Sequence, residues 1–289
     1  MRKVILLLLV VLLISSCQIK SCETPERGKE INYKQGFVDI TIASEGNKEE
    51  YQEQPLELPI SVHNKLAYDL EEVAVSIKGF DNHYVELYTE QQQLALLEGR
   101  SVFNHDGMKQ HFLFEGLLKS LLPGAEKEQE DYRVHVYYKS KVEFSPSICV
   151  ASQQSGDYVG AAYDTYQGAC TFQKEISYNG QGAPLGVTGL EMIPRQGKQV
   201  ELRMKLENRG KGKVGRVTLA GAAIGGKPLT CEFRGETVEN SFLFEAEEKS
   251  VTLICAGYLN SDATYTTPLF VELLYDYEVN QKESMVILE

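Results

Sequence analysis

The chain has 289 residues, 43% hydrophobic and 24% charged, and its 41 acidic against 29 basic residues give a formal net charge of −12. That length is a soft prior for two domains, and the composition is that of a chain able to bury a core. Neutralising phosphates needs clustered Lys and Arg, and no basic patch occurs, which argues against a nucleic-acid partner.

At the N-terminus, Arg2 and Lys3 precede an apolar run from Val4 to Ile14. A helix of that length reaches about half the hydrocarbon thickness, so residues 1–16 read as a signal peptide and not as a spanning helix. Ile14-Ser15-Ser16-Cys17 resembles a lipobox, the lipoprotein motif of bacteria and archaea. The resemblance implies that Cys17 becomes the lipid-bearing first residue of an exported chain; the alternative is ordinary secretory cleavage with Cys17 free. Losing Arg2 and Lys3 with the leader takes the net charge from −12 to −14, so an acyl group and not charge would hold the body at a membrane. Residues 17–30, polar and broken by Pro25 and Gly28, read as a tether.

A first domain is expected over residues 31–145. Phe37 to Ile42 alternates as a strand, and Leu56 to Val62 and Val73 to Ile77 make a strand-turn-strand pair. Tyr84 to Tyr88 follows as another strand, and Glu90 to Leu97 reads as a short helix or an edge strand. Then come Phe112-Leu113-Phe114-Glu115, a turn at Leu121 to Gly124, and a last strand from Tyr132 through Tyr138 toward Phe144. Residues 146–184 form an insert. Between Cys149 and Cys170 it carries Tyr158, Tyr163 and Tyr166 among acidic and small residues. Tyrosine gives large amphipathic contact area for little entropy, so these three are candidate binding residues for a glycan or peptide. The competing reading packs the loop on its own domain or between the two. Asn179 to Pro184 resembles a short linker.

The second domain, residues 185–289, repeats the first. Val200, Leu202, Met204 and Leu206 alternate with charged residues, Asn208-Arg209-Gly210 breaks the strand with Gly expected at positive φ, and Val214 to Leu219 resumes it. Leu58, Ile60, Val62 and Asn64 stand 144 positions earlier than Leu202, Met204, Leu206 and Asn208 (202 − 58). The first copy has Asn64-Lys65-Leu66 without a glycine, so its turn is expected to differ. Phe242 to Glu245 repeats the wording of Phe112 to Glu115, and Val271 to Tyr275 that of Val134 to Tyr138. Gly221 to Gly226 reads as a hairpin tip. Short strands between turns, without a long amphipathic helix, predict an all-β chain of two antiparallel β-sandwiches. Cys149, Cys170, Cys231 and Cys255 allow three pairings; each region holding two favours Cys149 with Cys170 and Cys231 with Cys255. Each loop would contribute about 3 kcal/mol in the chain-entropy model. A Cys231 to Cys255 bridge is expected to join two core-facing strands, and Cys22 is left over.

The Leu206, Asn208, Gly210 phrase, the Leu122-Pro123-Gly124 turn and the tyrosine-rich closing strand resemble the CARDB type, the cell-adhesion-related repeats of bacterial and archaeal envelope proteins, over about residues 31–145 and 185–289. The resemblance implies two tandem immunoglobulin-like antiparallel β-sandwiches acting as a surface-exposed structural or interaction module, with no catalytic residues to carry over.

The chemistry-bearing patterns are sparse. No G-x-S-x-G, H-E-x-x-H or C-x2-C occurs. His63 and His135 fall opposite the apolar faces of their strands, and His105, Asp106 and His111 share a loop without a known ligand spacing. No catalytic residue, metal or cofactor is expected. The expectation is a lipid-anchored module at the outer face of the cell membrane or in the periplasm, with an envelope protein or glycan as partner.

Overall fold

The computed structural model describes residues 32–151, 170–235, 237–238, 240–245, 248–261 and 264–289. Tyr33–Glu289 is one compact unit, and every regular element among the described residues is a strand. The first half contributes β1 (Gly36–Phe37), β2 (Thr41–Ser44), β3 (Glu49–Tyr51), β4 (Pro55–His63), β5 (Leu70–Lys78), β6 (Val85–Leu87), β7 (Gln91–Leu97), β8 (Lys109–Leu118), β9 (Lys127–Phe144) and β10 (Ser147–Val150). The second contributes β11 (Glu175–Ser177), β12 (Gln181–Ala183), β13 (Leu185–Pro194), β14 (Gln199–Asn208), β15 (Lys213–Ile224), β16 (Lys227–Pro228), β17 (Thr230–Phe233), β18 (Thr237–Val238), β19 (Ser241–Leu243), β20 (Ser250–Tyr258) and β21 (Tyr265–Leu288).

Each half has a sheet of its own, in the orders β2-β4-β8-β6 and β11-β13-β14-β20-β17. A third sheet belongs to both, with the order β18-β19-β15-β21-β9-β5-β7. The expected boundary between domains therefore runs through a continuous sheet. Glu90 to Leu97 resolves as its edge strand β7, paired with β5. The expected linker is also structured: β12 pairs in parallel with β1, and Gln181 and Ala183 are buried.

Strand registers show how one plan is written twice. In β4 and β8 Ile60 faces Phe112, while in β14 and β20 Met204 faces Leu253. Ile60 to Met204 is 144 positions (204 − 60), and Phe112 to Leu253 is 141 (253 − 112). In β5 and β9 Val75 faces Val136, matched by Leu219 facing Leu273 in β15 and β21, a shift of 137 for the last strand (273 − 136). The counterpart of Phe112 to Glu115 is therefore in β20. Phe242 to Glu245 is a false match: Phe242 and Leu243 lie in β19, against β15 in the shared sheet.

The halves meet through their last strands. β9 and β21 pair antiparallel from Phe144 opposite Val271 to Lys127 opposite Leu288. Lys139 faces Asp276, and these are equivalent positions (276 − 139 = 137), so a pseudo-twofold axis passes through this pair. Two copies thus join edge to edge as subunits do in an isologous dimer, which also removes two exposed strand edges. β5 shifts register between Glu71 and Ala74 and β15 between Val214 and Val217, so bulges flank the axis on both sides. The pleat puts Tyr132, Val134, Val136 and Tyr138 of β9 and Leu273, Tyr275, Tyr277 and Val279 of β21 into the core. Tyr138 and Tyr277 meet across the axis, ring centroids 5.3 Å apart, and Tyr275 stands edge-on to Tyr277 at 6.3 Å.

The two asparagine turns are alike, contrary to expectation. Asn64 Oδ1 accepts from Leu66 N at 2.9 Å and Nδ2 donates to Tyr68 O at 3.0 Å. Asn208 Oδ1 accepts from Gly210 N at 3.1 Å and Nδ2 donates to Gly212 O at 2.9 Å. The side-chain amide spans the same two positions in each, so a glycine is not what closes the turn. Gly210 does not adopt positive φ. It is required because a Cβ there would collide with the Tyr277 hydroxyl and Pro184.

Candidate functional site

Cys17 and the expected contact residues Tyr158, Tyr163 and Tyr166 lie outside the described residues. The base on which the insert is mounted is described. β10 runs antiparallel to the start of β21, from Ser147 opposite Pro268 to Val150 opposite Tyr265. Ile148, Val150 and Ala151 are buried on one side of the insert and Phe172 on the other. The Cys149–Cys170 disulfide closes the loop between them, Cα atoms 5.8 Å apart. One end is held on β21 through β10, and the disulfide ties Cys170 to that end.

The second disulfide joins two strands that both contribute to the core, β17 through Phe233 and β20 through Val251 and Leu253. Cys231 and Cys255 are directly opposite residues of neighbouring strands β17 and β20, Cα atoms 4.0 Å apart. The bridge staples adjacent strands of one sheet, with Cys255 in the core and Cys231 partly buried. Two disulfides fit a chain that folds in an oxidising compartment outside the cytoplasm.

The histidines disperse into structural contacts. His63 Nε2 bonds Asp106 O at 2.7 Å, His111 stands 3.2 Å from Glu45, and His135 stands 3.2 Å from Glu278 across the axis. His105 contacts the Tyr33 hydroxyl. Among the described residues no three His, Cys, Asp or Glu side chains gather as a metal-binding group.

Asp39 ties the start of the first half to the second. Its Oδ2 accepts from Lys211 N at 2.8 Å and from the Tyr277 hydroxyl at 3.1 Å, and that hydroxyl accepts from Gly212 N at 2.7 Å. Burial, with the Asp39 carboxylate nearby, pushes the Tyr277 phenol well above its ordinary range, so it stays protonated and donates. Lys211 and Gly212 also line an open surface concavity of about 540 Å³ with Asn208, Arg209 and Lys249.

Two other concavities were not legible in the sequence. One, of about 180 Å³, lies beside the axis and is lined by Lys139, Asp276, Arg216 and Leu274. It falls short of the roughly 300–1,000 Å³ typical of small-molecule sites. The other, about 660 Å³, is an open trough on the outer face of β14, β20 and β17. The register places Ala256 between Glu201 and Thr230, a low floor between taller neighbours, and Tyr258 beside Gln199 in the next row. Tyr258 is 58% exposed, with its hydroxyl held by Gln199 Nε2 at 2.7 Å. The only sequence signal for it is an aromatic residue on a strand's polar face.

No family model matches the chain, and no curated protein matches it. Among solved structures it is similar to the E. coli chaperone DraB, at 10% identity over 81% of this chain and 96% of that chain, with a TM-score of 0.21. A likeness at that score carries no argument about fold or activity.

Proposed function

We propose that this is an exported protein, acylated at Cys17, whose two immunoglobulin-like sandwiches of the CARDB type serve as a non-catalytic structural or interaction module of the cell envelope. The observation that carries the reading is the strand plan written twice, with matching registers and matching asparagine turns, and fused edge to edge. The two disulfides and the leader with its lipobox add to it. The polar side chains at these joints support the same view, since buried Asn64 and part-buried Asn208 and Asp39 are spent on turns and on joining the halves. Membrane fractionation tests the anchor: wild type should sediment with membranes, and Cys17→Ala should accumulate as uncleaved precursor or appear in the soluble fraction. Identical migration and fractionation of both would contradict it.

A second reading is capture of a glycan or peptide. It is favoured by the insert's fixed base and by the Tyr258 trough. Glycan-array signal lost on Tyr158→Ala or Tyr166→Ala would locate capture in the insert, and loss on Tyr258→Ala would locate it in the trough. Silence on broad arrays would leave the structural reading.

A further inference from the structure

The most exposed large apolar side chain among the described residues is Phe103, at 96%, with Val102 beside it at 65%. Their loop is firmly built. Ser101 N donates to Asn104 O at 2.8 Å and Asn104 N returns to Ser101 O at 3.2 Å, so Val102 and Phe103 form the apex of a closed turn. Ser101 Oγ also accepts from Phe103 N and Asn104 N, at 3.3 and 3.1 Å. Below the apex, Arg100 N donates to Leu66 O at 2.7 Å and Met108 N to Glu98 O at 3.0 Å. Gly107 is at positive φ, pressed against the Asn64 carbonyl where a Cβ would collide. A rigid turn that presents a phenylalanine to water gains nothing within the fold.

Its neighbour says what it meets. Arg100 lies over the Tyr33 ring, 5.7 Å from its centroid, and Tyr33 contacts His105. Tyr33 is therefore packed at the base of this turn, and it is sixteen residues beyond Cys17 (33 − 17). That length of chain reaches at most about 55 Å, which bounds how far Tyr33 can lie from an anchored Cys17. A ring of Tyr, Arg and His beneath a Phe-Val tip is the layering of side chains that enter a bilayer interface. Two side chains offer too little area for a stable protein interface, whereas a bilayer needs no complementary pocket.

We propose that Val102 and Phe103 dip into the lipid interface as a second membrane contact, orienting a body that the acyl group holds nearby. The contact is too small to recruit the chain alone and acts through the high local concentration that the anchor provides. It rests on reading Cys17 as the anchor, so the test supplies that anchor chemically. The chain has no tryptophan, and Phe103→Trp is therefore a single reporter. Leu122→Trp is the control: Leu122 is 63% exposed and follows the end of β8 opposite to the one that the Val102-Phe103 loop enters.

The chain from Cys17 onward, with Cys22→Ser so that Cys17 is the free thiol, is coupled to maleimide phospholipid in phosphatidylcholine vesicles. The Phe103→Trp emission should shift to the blue on coupling and be quenched by lipid brominated in the acyl chains, while Leu122→Trp keeps its aqueous emission. Unchanged Phe103→Trp emission overturns the proposal. So does equal quenching of both reporters, or a blue shift without bromolipid quenching that grows with protein concentration and marks docking on another protein. Failure of the native anchor is read separately, by fractionation of Cys17→Ala.

Discussion

The turn at Asn64 and the turn at Asn208 occupy the same place in the two halves and are closed by the same amide, yet their surroundings differ. Asn64 is fully buried, and Nδ2 also donates to Leu97 O at 2.9 Å, so it serves as a hub beneath the 98–108 loop. Asn208 is part-buried, and its turn presses instead on the axis, with Arg209 N donating to Pro184 O at 3.0 Å and Gly212 N to Tyr277. The duplicated amide holds the turn; the glycine found in one copy answers to Tyr277.

That contrast can be broken by substitution. Asn64→Ala leaves the Leu66 N–H and two carbonyls without their partner, and at about 1–3 kcal/mol per unsatisfied group it should cost about 3–5 kcal/mol in urea unfolding. Gly210→Ala comes next, at about 1–3 kcal/mol from overpacking against Tyr277, and adding Tyr277→Phe should recover part of that loss in a double-mutant cycle. Asn208→Ala, with two bonds in a part-buried turn, should cost about 1–2 kcal/mol. Equal losses for Asn64→Ala and Asn208→Ala would remove the distinction between hub and turn.

The smallest effect is electrostatic. Hydrogen bonds from Lys141 and then Lys34 hold the Glu143 carboxyl below the ordinary glutamate range. A carboxyl lowered by folding stabilises fully above its unfolded pKa of about 4.3, and the contribution disappears as pH falls through the lowered folded value. Glu143→Gln should therefore cost under about 1 kcal/mol at neutral pH, and this difference should vanish in acid. A loss unchanged between neutral and acid pH would show that the ion pairs are not its source.

The strands around Leu58 to Val62 and Leu202 to Leu206 were legible because alternate residues face a core and the pattern has period two. The Phe242 match failed because a word of four alternating residues fits any half-buried strand; only register, which short words do not encode, assigns the counterpart. The fusion of the halves was hidden for a related reason. β9 extends beyond its apolar run to Lys127, and that polar end pairs with Ser284 to Leu288, while the polar Asn280 to Glu283 of β21 pairs with Tyr132 to His135; Lys282 meets Asp131 at 2.6 Å. A polar extension reads as a loop until its partner strand is known. Of the candidate site, the cysteine pairs were legible from their distribution between the halves, whereas the Tyr258 trough and the Phe103 turn depend on which side chains the fold leaves uncovered.

Pairing of β9 with β21 makes the two copies one folding unit, and calorimetry of the disulfide-intact protein tests this most directly. The account predicts a single transition whose calorimetric and van't Hoff enthalpies agree. Two resolved transitions, one abolished by Asn64→Ala and the other unmoved, would contradict it.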